Sequence, residues 1–439
     1  MGKEAARWWH PLWLVWMVVE RLTWLGTLGG DESWAYGVSA DGSVVVGWAD
    51  NAAGGQRAFR WTAAAGMQDL GTLCGGWSAA YGVSADGSVV VGAAYAPVFQ
   101  RAFRWTAARG MQDLGMLGGG WSVAYGVSAD GSVVVGSAQN AAGKWRAFRW
   151  TAARGMQDLG TLGGDASGAR GVSADGSVVV GMARNAAGQR RAFRWTAAHG
   201  MQDLGTLGGR ESEANAVSAD GSVVVGYAQN AAGQWRAFRW TAAGGMQDLG
   251  TLGGGGSEAT AVSADGSVVV GWARNTAGQD RAFRWTAAGG MEDLNITYAH
   301  LLTNGSELRE AYAISPDGRY IVGRGYNAAT RREEAFLLDT QGTGVEERSE
   351  AARVRLRLLP QPARERVALE LEVAKAARGV TLVVTDALGR VVAEPLRGAV
   401  LPPGVHRLEL DVRAWAAGQY KVVLRTKAGS TAVLLVVVR

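Results

Sequence analysis

The charged residues that recur along the chain are the first candidates for chemistry. One aspartate, followed by Gly in a tight-turn motif, stands at Asp41, Asp86, Asp130, Asp175, Asp220, Asp265 and Asp317. Another, in the motif Met-x-Asp-Leu, stands at Asp69, Asp113, Asp158, Asp203, Asp248 and Asp293. A catalytic carboxylate needs a distinct environment to shift its pKa, and near-identical copies do not each have one. We therefore interpret these aspartates as turn caps and partners in hydrogen bonds between strands, and we predict no catalytic residue.

Metal and cofactor chemistry also finds no support in the sequence. The histidines His10, His199, His300 and His406 fall in unrelated regions, so a shared zinc site is not expected. The single cysteine, Cys74, excludes a disulfide scaffold and a cysteine-cluster metal site. No calcium loop, nucleophile elbow or phosphate-binding loop is present. We expect no metal and no cofactor.

The spacing of the tight-turn aspartates indicates a repeat. Their first five steps are 45, 44, 45, 45 and 45 residues, and the last is 52. The motif Arg-Ala-Phe-Arg-Trp-Thr recurs with the same period at Trp61, Trp105, Trp150, Trp195, Trp240 and Trp285. A fixed period of this length with strand-like content is typical of propeller blades.

Each repeat divides into four predicted strands, as the second copy illustrates. The run 81–85 ends at an Asp-Gly turn, and the consecutive valines of 89–92 follow as a buried strand. A loop then leads to 102–106, where apolar and polar side chains alternate, and a glycine turns the chain into 111–114. The sequence therefore predicts four-stranded, all-β blades.

The count of strands predicts how the ring closes. Seven copies of the first strand are present, but the last copy stops after three strands, near Leu338. The segment 22–30 matches an isolated fourth strand and would complete the seventh blade. We predict a seven-bladed β-propeller over residues 21–340, closed by its N-terminal strand, because closure removes exposed sheet edges.

The repeat resembles a known family of bacterial extracellular repeats, the HAF family. The motifs that carry this resemblance are Asp-Leu-Gly-Thr-Leu-Gly-Gly, Gly-Val-Ser-Ala-Asp-Gly, Val-Val-Gly and Arg-Ala-Phe-Arg-Trp, in that order, over about residues 20–340. The His-Ala-Phe of the family is Arg-Ala-Phe here, from Arg57 to Arg281. The resemblance implies a secreted, propeller-like protein and carries no established chemistry.

A second domain is predicted after a polar linker, residues 341–352. Residues 353–439 have the alternation and turn signals of an immunoglobulin-like β-sandwich of about seven strands. The predicted strands are Val354–Leu358, Val367–Val373, Val380–Asp386, Val391–Leu396, His406–Val412, Gly418–Thr426 and Thr431–Val438.

The motifs of this domain resemble the C-terminal sorting domain of type IX secretion. They are the segments 384–392, 401–406 and 417–420, followed by a valine-rich end with terminal Arg439. The resemblance implies export across an outer membrane, with removal of the domain or surface attachment. The alternative is a generic sandwich that stabilises or spaces the propeller.

Positions that differ between copies are the candidates for binding. They collect in the segment leading into each blade and in the loop after its second strand, which lie on one face of a propeller of this strand order. One arc of that face is aromatic, and its residues are Trp34, Tyr36, Trp77, Tyr81, Trp121, Tyr125 and Tyr312. Flat rings side by side suit stacking on sugars or anchoring a peptide, although they can also merely cover the blade ends.

Two further features lie near this arc. A second aromatic set surrounds the other loop, at Trp48, Trp145, Tyr227, Trp235 and Trp272. The segment leading into the seventh blade, 295–310, is seven residues longer than in other copies, and we expect a small lid there. The opposite arc is polar and holds Asp165, Arg210, Glu211, Glu213 and Glu258.

Composition limits the class of partner. Residues 345–439 hold 16 Arg and Lys against 10 Asp and Glu, which leaves the larger region without a basic field that would attract nucleic acid. Residues 1–20 read as a signal peptide or a disordered tail, and the apolar run within them is too short to span a bilayer. We expect a monomeric secreted or cell-surface protein without a stable membrane span.

The function that these observations favour is non-catalytic binding or structural support by the propeller. The partner would be an extracellular glycan or protein surface, as in adhesion. The alternative is an extracellular polysaccharide hydrolase or lyase on the loop face, where Asp165, Glu211, Glu213, Glu258 and His300 differ from their counterparts in other copies. An intracellular interaction scaffold is the third reading.

Overall fold

The structure is a computed structural model. It describes residues 20–302, 304–341, 354–359, 363, 365–373, 377–386, 390–402, 404–426 and 429–437. Residues Arg21–Thr340 form one compact unit, and the C-terminal residues from Gln341 belong to another. Apart from Glu20 and Gln341, the predicted signal or tail and the predicted linker lie outside the described residues. So do 387–389, Pro403 and Arg439 of the sorting-domain motifs.

Six blades of the first unit each consist of four consecutive antiparallel strands. Blades 1 and 2 are β2 (Gly29–Val38), β3 (Val45–Asn51), β4 (Gln56–Thr62), β5 (Gly66–Asp69), β6 (Ser78–Val83), β7 (Val89–Tyr95), β8 (Gln100–Thr106) and β9 (Gly110–Asp113). Blades 3 and 4 are β10 (Gly118–Val127), β11 (Val133–Asn140), β12 (Trp145–Thr151), β13 (Gly155–Asp158), β14 (Gly163–Val172), β15 (Val178–Asn185), β16 (Arg190–Thr196) and β17 (Gly200–Asp203). Blades 5 and 6 are β18 (Gly208–Val217), β19 (Val223–Asn230), β20 (Trp235–Thr241), β21 (Gly245–Asp248), β22 (Gly253–Val262), β23 (Val268–Asn275), β24 (Asp280–Thr286) and β25 (Gly290–Asp293).

The seventh blade is completed from the other end of the chain, as the sequence predicts. Its own strands are β26 (Glu307–Ile314), β27 (Tyr320–Asn327) and β28 (Arg332–Asp339). The fourth strand is β1 (Arg21–Trp24), which pairs antiparallel with β28 in the register Arg21 to Asp339. The prediction of a seven-bladed all-β propeller closed by its N-terminal strand is confirmed.

The core repeats with the sequence. The phenylalanine of the third strand is fully buried in every blade, at Phe59, Phe103, Phe148, Phe193, Phe238, Phe283 and Phe336. The glycine that ends the valine run of the second strand allows the first strand to approach. At Gly136, for example, an added Cβ would lie 1.9 Å from the carbonyl oxygen of Val123. Apolar burial and close backbone packing thus hold each blade together.

The tight-turn aspartates are turn caps, as expected. In blade 3, Asp130 Oδ1 accepts hydrogen bonds from the Ser128 hydroxyl at 2.6 Å, the Ser132 amide at 3.0 Å and the Ser132 hydroxyl at 2.8 Å. These bonds, the Ser128 hydroxyl first, lower the pKa of Asp130 to about 2. The second arginine of the Arg-Ala-Phe-Arg motif links neighbouring blades: Arg104 Nε donates to the carbonyl of Gly131 in the next blade at 3.3 Å.

Backbone hydrogen bonds at these hairpins link neighbouring blades around the ring. There are six such bonds of 2.9–3.1 Å, one at each junction from blade 1 to blade 7. The first runs from the Ala40 amide to the Ala85 carbonyl, and the last runs from the Ala264 amide to the Pro316 carbonyl. Pro316 has no N–H, so it cannot donate onward to Ala40. The junction between blades 7 and 1 is instead bridged by the parallel pair Glu32 and Glu333.

The longer segment before the seventh blade is not a lid with free space beneath it. It forms a short helix α1 (Leu294–Thr297) and a 3₁₀ turn (Ala299–Leu301). Leu294 and Tyr298 are buried in a cluster with residues of blades 6 and 7, such as Val270 and Leu308. The expectation is corrected in this respect, because the apolar side chains pull the segment into the seam between two blades.

The C-terminal unit forms the predicted immunoglobulin-like sandwich. One sheet contains β29 (Val354–Leu359), β30 (Arg366–Val373) and β33 (Gly404–Asp411). The other contains β31 (Ala377–Thr385), β32 (Val391–Leu401), β34 (Gly418–Thr426) and β35 (Gly429–Val437). Inward side chains such as Leu369, Leu382 and Leu424 form its core. Across the described ranges, no helix is long and apolar enough to cross a membrane.

Candidate functional site

The innermost strand of every blade carries one extra residue opposite its neighbouring strand. In blade 1, Ala35 pairs with Gly47 and Gly37 with Val46, which leaves Tyr36 without a partner in the ladder. The equivalent bulge residues of the seven blades are Tyr36, Tyr81, Tyr125, Arg170, Asn215, Thr260 and Tyr312. A bulge turns a side chain away from the regular pleat, and these seven side chains line the central channel.

Four of the bulge residues form a continuous row of tyrosines. The ring centroid of Tyr36 lies 4.8 Å from that of Tyr312 and 5.4 Å from that of Tyr81. Tyr81 in turn lies 5.4 Å from Tyr125, so the row spans blades 7, 1, 2 and 3. Burial raises the pKa of Tyr36 to about 12 and raises that of Tyr81 as well. The phenols of Tyr36 and Tyr81 therefore stay neutral near pH 7.

The row ends where Arg170 meets Tyr125. The guanidinium carbon of Arg170 lies 4.5 Å from the Tyr125 ring centroid, and its Nε donates to Glu213 Oε1 at 2.9 Å. Glu213 is only 2% exposed, and its other oxygen accepts from Arg190 Nη1 at 3.2 Å and Tyr227 Oη at 2.9 Å. The carboxylate is thus fully engaged and its charge is compensated.

The next acid along the polar side is Glu258, which lines the channel without a cation among the described contacts. Its Oε1 accepts a hydrogen bond from Asn215 Nδ2 at 3.0 Å. The pKa of Glu258 is raised to about 7: burial and the charges of Glu213 and Glu310 raise it, while the Asn215 bond and the charge of Arg170 lower it. Glu258 therefore carries a proton for much of the range below neutral pH.

The seam between blades 7 and 1 backs the tyrosine row. The ring of Trp34 stacks on Tyr312 at 6.0 Å and packs against Trp48 at 5.2 Å. The guanidinium carbon of Arg324 lies 4.2 Å from the Trp34 ring, and its Nη2 donates to Glu310 Oε1 at 2.5 Å. These contacts fix the ring planes on this side of the channel.

The channel encloses a cavity of about 540 Å³. The bulge residues line it together with the glycine or alanine and the valine that follow most of them, and with Glu213, Tyr227, Glu258 and Trp272. Two features of its walls matter for binding: the flat rings on one side, and on the other side the compensated pair of Arg170 and Glu213 beside Glu258. A volume of this size accommodates a small organic ligand or one unit of a polymer.

The structure divides the predicted aromatic arc. It brings together Trp34, Tyr36, Tyr81, Tyr125 and Tyr312, as described above. Trp77 and Trp121 stand outside this group, and Trp121 contacts Phe99 with ring centroids 5.9 Å apart. The second aromatic set contributes Trp48, Tyr227 and Trp272 to the channel and its backing. A regular strand would place Trp121 and Tyr125, four residues apart, on the same side, but the register shifts along β10 break this alternation.

The acids of the hydrolase alternative are also divided. Glu213 and Glu258 are at the channel. Asp165 is exposed and pairs with Lys144 at 3.1 Å, and Glu211 pairs with Arg190 at 3.3 Å. His300 is exposed in the 3₁₀ turn. In the part of the chain that the structure describes, no group of three or more His, Cys, Asp or Glu side chains is arranged to hold a metal ion.

Comparisons with known proteins bear on the fold alone. No protein-family model and no curated protein sequence matches the chain. An oligogalacturonate lyase from Vibrio parahaemolyticus is similar with a TM-score of 0.49 and 11% identity, over 73% of this chain and 93% of that one. The propeller domain of the Trilobed protease from Pyrococcus furiosus is similar with a TM-score of 0.44 and 11% identity, over 70% of this chain and 96% of that one. TolB from Acinetobacter baumannii is similar with a TM-score of 0.40 and 11% identity, and the match covers 72% of this chain and 64% of TolB. This chain therefore spans less than two thirds of the length of TolB. These similar structures are β-propellers, and at such identities they imply no activity for this chain.

Proposed function

We propose that the propeller binds an uncharged, hydroxyl-rich sugar in its central channel and does not cleave it. The observation that carries this proposal is the row of Tyr312, Tyr36, Tyr81 and Tyr125 along one side of the 540 Å³ cavity. Aromatic rings stack on the apolar faces of sugars, and phenol hydroxyls form hydrogen bonds with sugar hydroxyls. Within the row, the Tyr312 hydroxyl already donates to Glu310.

The charge of the channel favours a neutral ligand. Arg170 and Glu213 compensate each other, and Glu258 is protonated below its pKa of about 7. A protonated carboxyl both donates and accepts hydrogen bonds, which matches a sugar hydroxyl. An acidic or basic ligand would have to break the compensated pair or force a charge onto Glu258, and both cost free energy.

Hydrolysis by Glu258 and Glu213 is the alternative, since a carboxyl with a raised pKa could act as a general acid. Such a mechanism needs a second carboxylate that is free to attack or to activate water. Glu213 is instead 2% exposed, and both of its oxygens accept hydrogen bonds from Arg170, Arg190 and Tyr227. This engagement supports binding without turnover.

The proposal is tested by isothermal titration of the propeller with neutral and charged oligosaccharides. Suitable probes are cello-, xylo-, manno- and laminarihexaose, with oligogalacturonate and a lysine hexapeptide as charged comparisons. We expect at least one neutral probe to bind and to remain uncleaved after prolonged incubation. Binding of the charged probes alone, or shortening of the bound sugar, would reject the proposal.

We also propose that the protein acts outside the cell and that its C-terminal sandwich serves export or surface attachment. The support is the resemblance of the repeats to the HAF family and of residues 353–439 to the type IX sorting domain. The experiment is to express the chain without residues 346–439 in its host. Retention inside the cell is expected, whereas normal export would leave the sandwich as a spacer.

A further inference from the structure

An exposed apolar patch lies on blades 2 and 3, outside the channel. We call it the rim patch and define it by the residues Trp77, Tyr95, Val98, Phe99 and Trp121. Val98 is 65% exposed, and Tyr95, Phe99 and Trp121 are each more than a third exposed. Single exposed apolar side chains are common on proteins, but a contiguous group of this kind marks an interaction site.

The rim patch arises from a local departure from the repeat. Other blades have an asparagine at the end of the second strand, and its side chain caps the turn; Asn51 Oδ1, for instance, accepts from the Ala53 and Gly55 amides. Blade 2 has Ala96 at this position, directly after Tyr95. Its loop is closed by a backbone bond from Ala96 to Phe99 of 2.9 Å, and Pro97 restricts the turn. The exposed rings are therefore held on an ordered hairpin.

Contacts join the two halves of the patch. The Tyr95 amide donates to the Trp77 carbonyl at 2.9 Å, which places the two residues side by side. The Phe99 ring lies against the backbone of Gly120, where an added Cβ would be 3.0 Å from it, and packs against Trp121 at 5.9 Å. The patch thus bridges two neighbouring blades.

The same face of the next blades is charged. Asp165 pairs with Lys144 at 3.1 Å and lies 3.8 Å from Arg184. Arg274 pairs with Asp280 at 3.2 Å in blade 6. Among the described residues of the propeller, the exposed aromatic side chains lie on blades 2 and 3, which also carry part of the tyrosine row, and an uncharged partner fits that side.

Two strands connect the patch to the channel. Trp77 and Trp121 each stand four residues before a tyrosine of the row, Tyr81 and Tyr125. Four residues of a β-strand span about 13 Å, which is longer than one sugar ring and within reach of a short oligosaccharide. Two aromatic surfaces at this separation suit one extended ligand that touches both.

We propose that the rim patch binds the sugar units next to the one held in the channel, so that the ligand is a chain rather than a single sugar. This inference rests on the proposed function. It assigns the channel to one unit and Phe99 and Trp121 to stacking with later units of the same neutral oligosaccharide. A protein partner or a second copy of this chain is the competing occupant.

The test compares chain lengths in each neutral series, from monosaccharide to hexasaccharide, by isothermal titration of the full chain. We expect affinity to rise at least tenfold with length in one series. The double variant Phe99→Ala/Trp121→Ala should remove that rise and leave the monosaccharide affinity unchanged. The matched control is Trp145→Ala, because the Trp145 ring is half-buried and lies outside both surfaces. This control variant should keep the rise of affinity with chain length.

Further variants separate stacking from general apolar contact. Trp121→Leu keeps apolar surface but removes the flat ring, so it should lose most of the length dependence. Equal affinity for all lengths, or a rise that survives in the double variant, would overturn the inference while leaving sugar binding in the channel intact. Absence of binding in every series rejects the proposed function and this extension together. Dimerisation lost in the double variant, without a change in length dependence, would assign the patch to a second copy.

Discussion

The guanidinium of Arg170 lies over the ring of Tyr125, 4.5 Å from its centroid, at the point where the aromatic side of the channel meets the polar side. The same arginine donates to the buried Glu213. One residue thus joins the two kinds of surface, and its position depends on a bulge that every blade shares. Variation at a bulge changes the channel without changing the blade.

Loss of the Arg170 side chain should leave Glu213 buried with fewer partners. We expect Arg170→Gln to lower the free energy of unfolding by about 2 kcal/mol, less than for a fully buried ion pair, because the Arg170 side chain is 38% exposed and Arg190 remains. Urea denaturation measures the effect. The double variant Arg170→Gln/Glu213→Gln should recover much of the loss, and a fully stable single variant would show that the pair is not needed.

Glu258 should make stability fall as pH rises. Its folded pKa is raised from 4.5 to about 7, so the folded state holds the proton more tightly than the unfolded state. The resulting stabilisation is complete below the ordinary pKa and is lost as pH rises through about 7. Melting temperatures from pH 5 to pH 9 test this, with Glu258→Gln as the comparison. Parallel curves for the two proteins would contradict the assignment.

The tight-turn aspartates should act in the opposite direction. The pKa of Asp130 is lowered to about 2, so its turn bonds stabilise the fold above the ordinary pKa near 4 and are lost as pH falls toward 2. Asp86 and Asp220 behave alike, and their contributions accumulate around the ring. We expect Asp130→Asn to be less stable at pH 7 and less sensitive to acid. The control is the same comparison in high salt, which leaves these short hydrogen bonds in place.

Removal of residues 21–28 should open the ring. β1 supplies the fourth strand of the seventh blade, and Leu25 is buried in the cluster between blades 7 and 1. Without them, the edge of β28 is exposed and invites pairing with other chains. We expect aggregation or a markedly lower melting temperature, measured by size-exclusion chromatography and thermal unfolding. A deletion variant that stays monomeric and melts normally would contradict the closure.

The repeated parts of the fold are the parts that the sequence predicts well. Strands, hairpins and the closing strand follow from alternation, Asp-Gly turns and the count of copies, because these signals are local or periodic. The ring of bulge residues is also visible as the position where copies differ, from Tyr81 to Arg170 and Asn215. The sequence does not show that these side chains point into the channel, since the bulge depends on pairing with the next strand.

Two other features are outside the reach of the sequence for physical reasons. Trp121 is aromatic like the tyrosines, but its ring packs against Phe99 of the hairpin in blade 2, which is a tertiary contact. Glu213 and Glu258 look alike in sequence. Glu213 is a compensated carboxylate because Arg170 and Arg190 of blade 4 both reach it across the seam with blade 5, and Glu258 has no such pair of arginines among the described contacts.

The most direct test of the account is a calorimetric titration of the wild-type protein and of the Tyr81→Ala/Tyr125→Ala variant at pH 6 with the neutral hexasaccharides. Stacking on two rings contributes enough that their removal should weaken binding about tenfold or more. The account predicts that one hexasaccharide binds the wild type, is recovered intact, and loses this affinity in the variant. Equal binding by both proteins, or binding by neither, would contradict it.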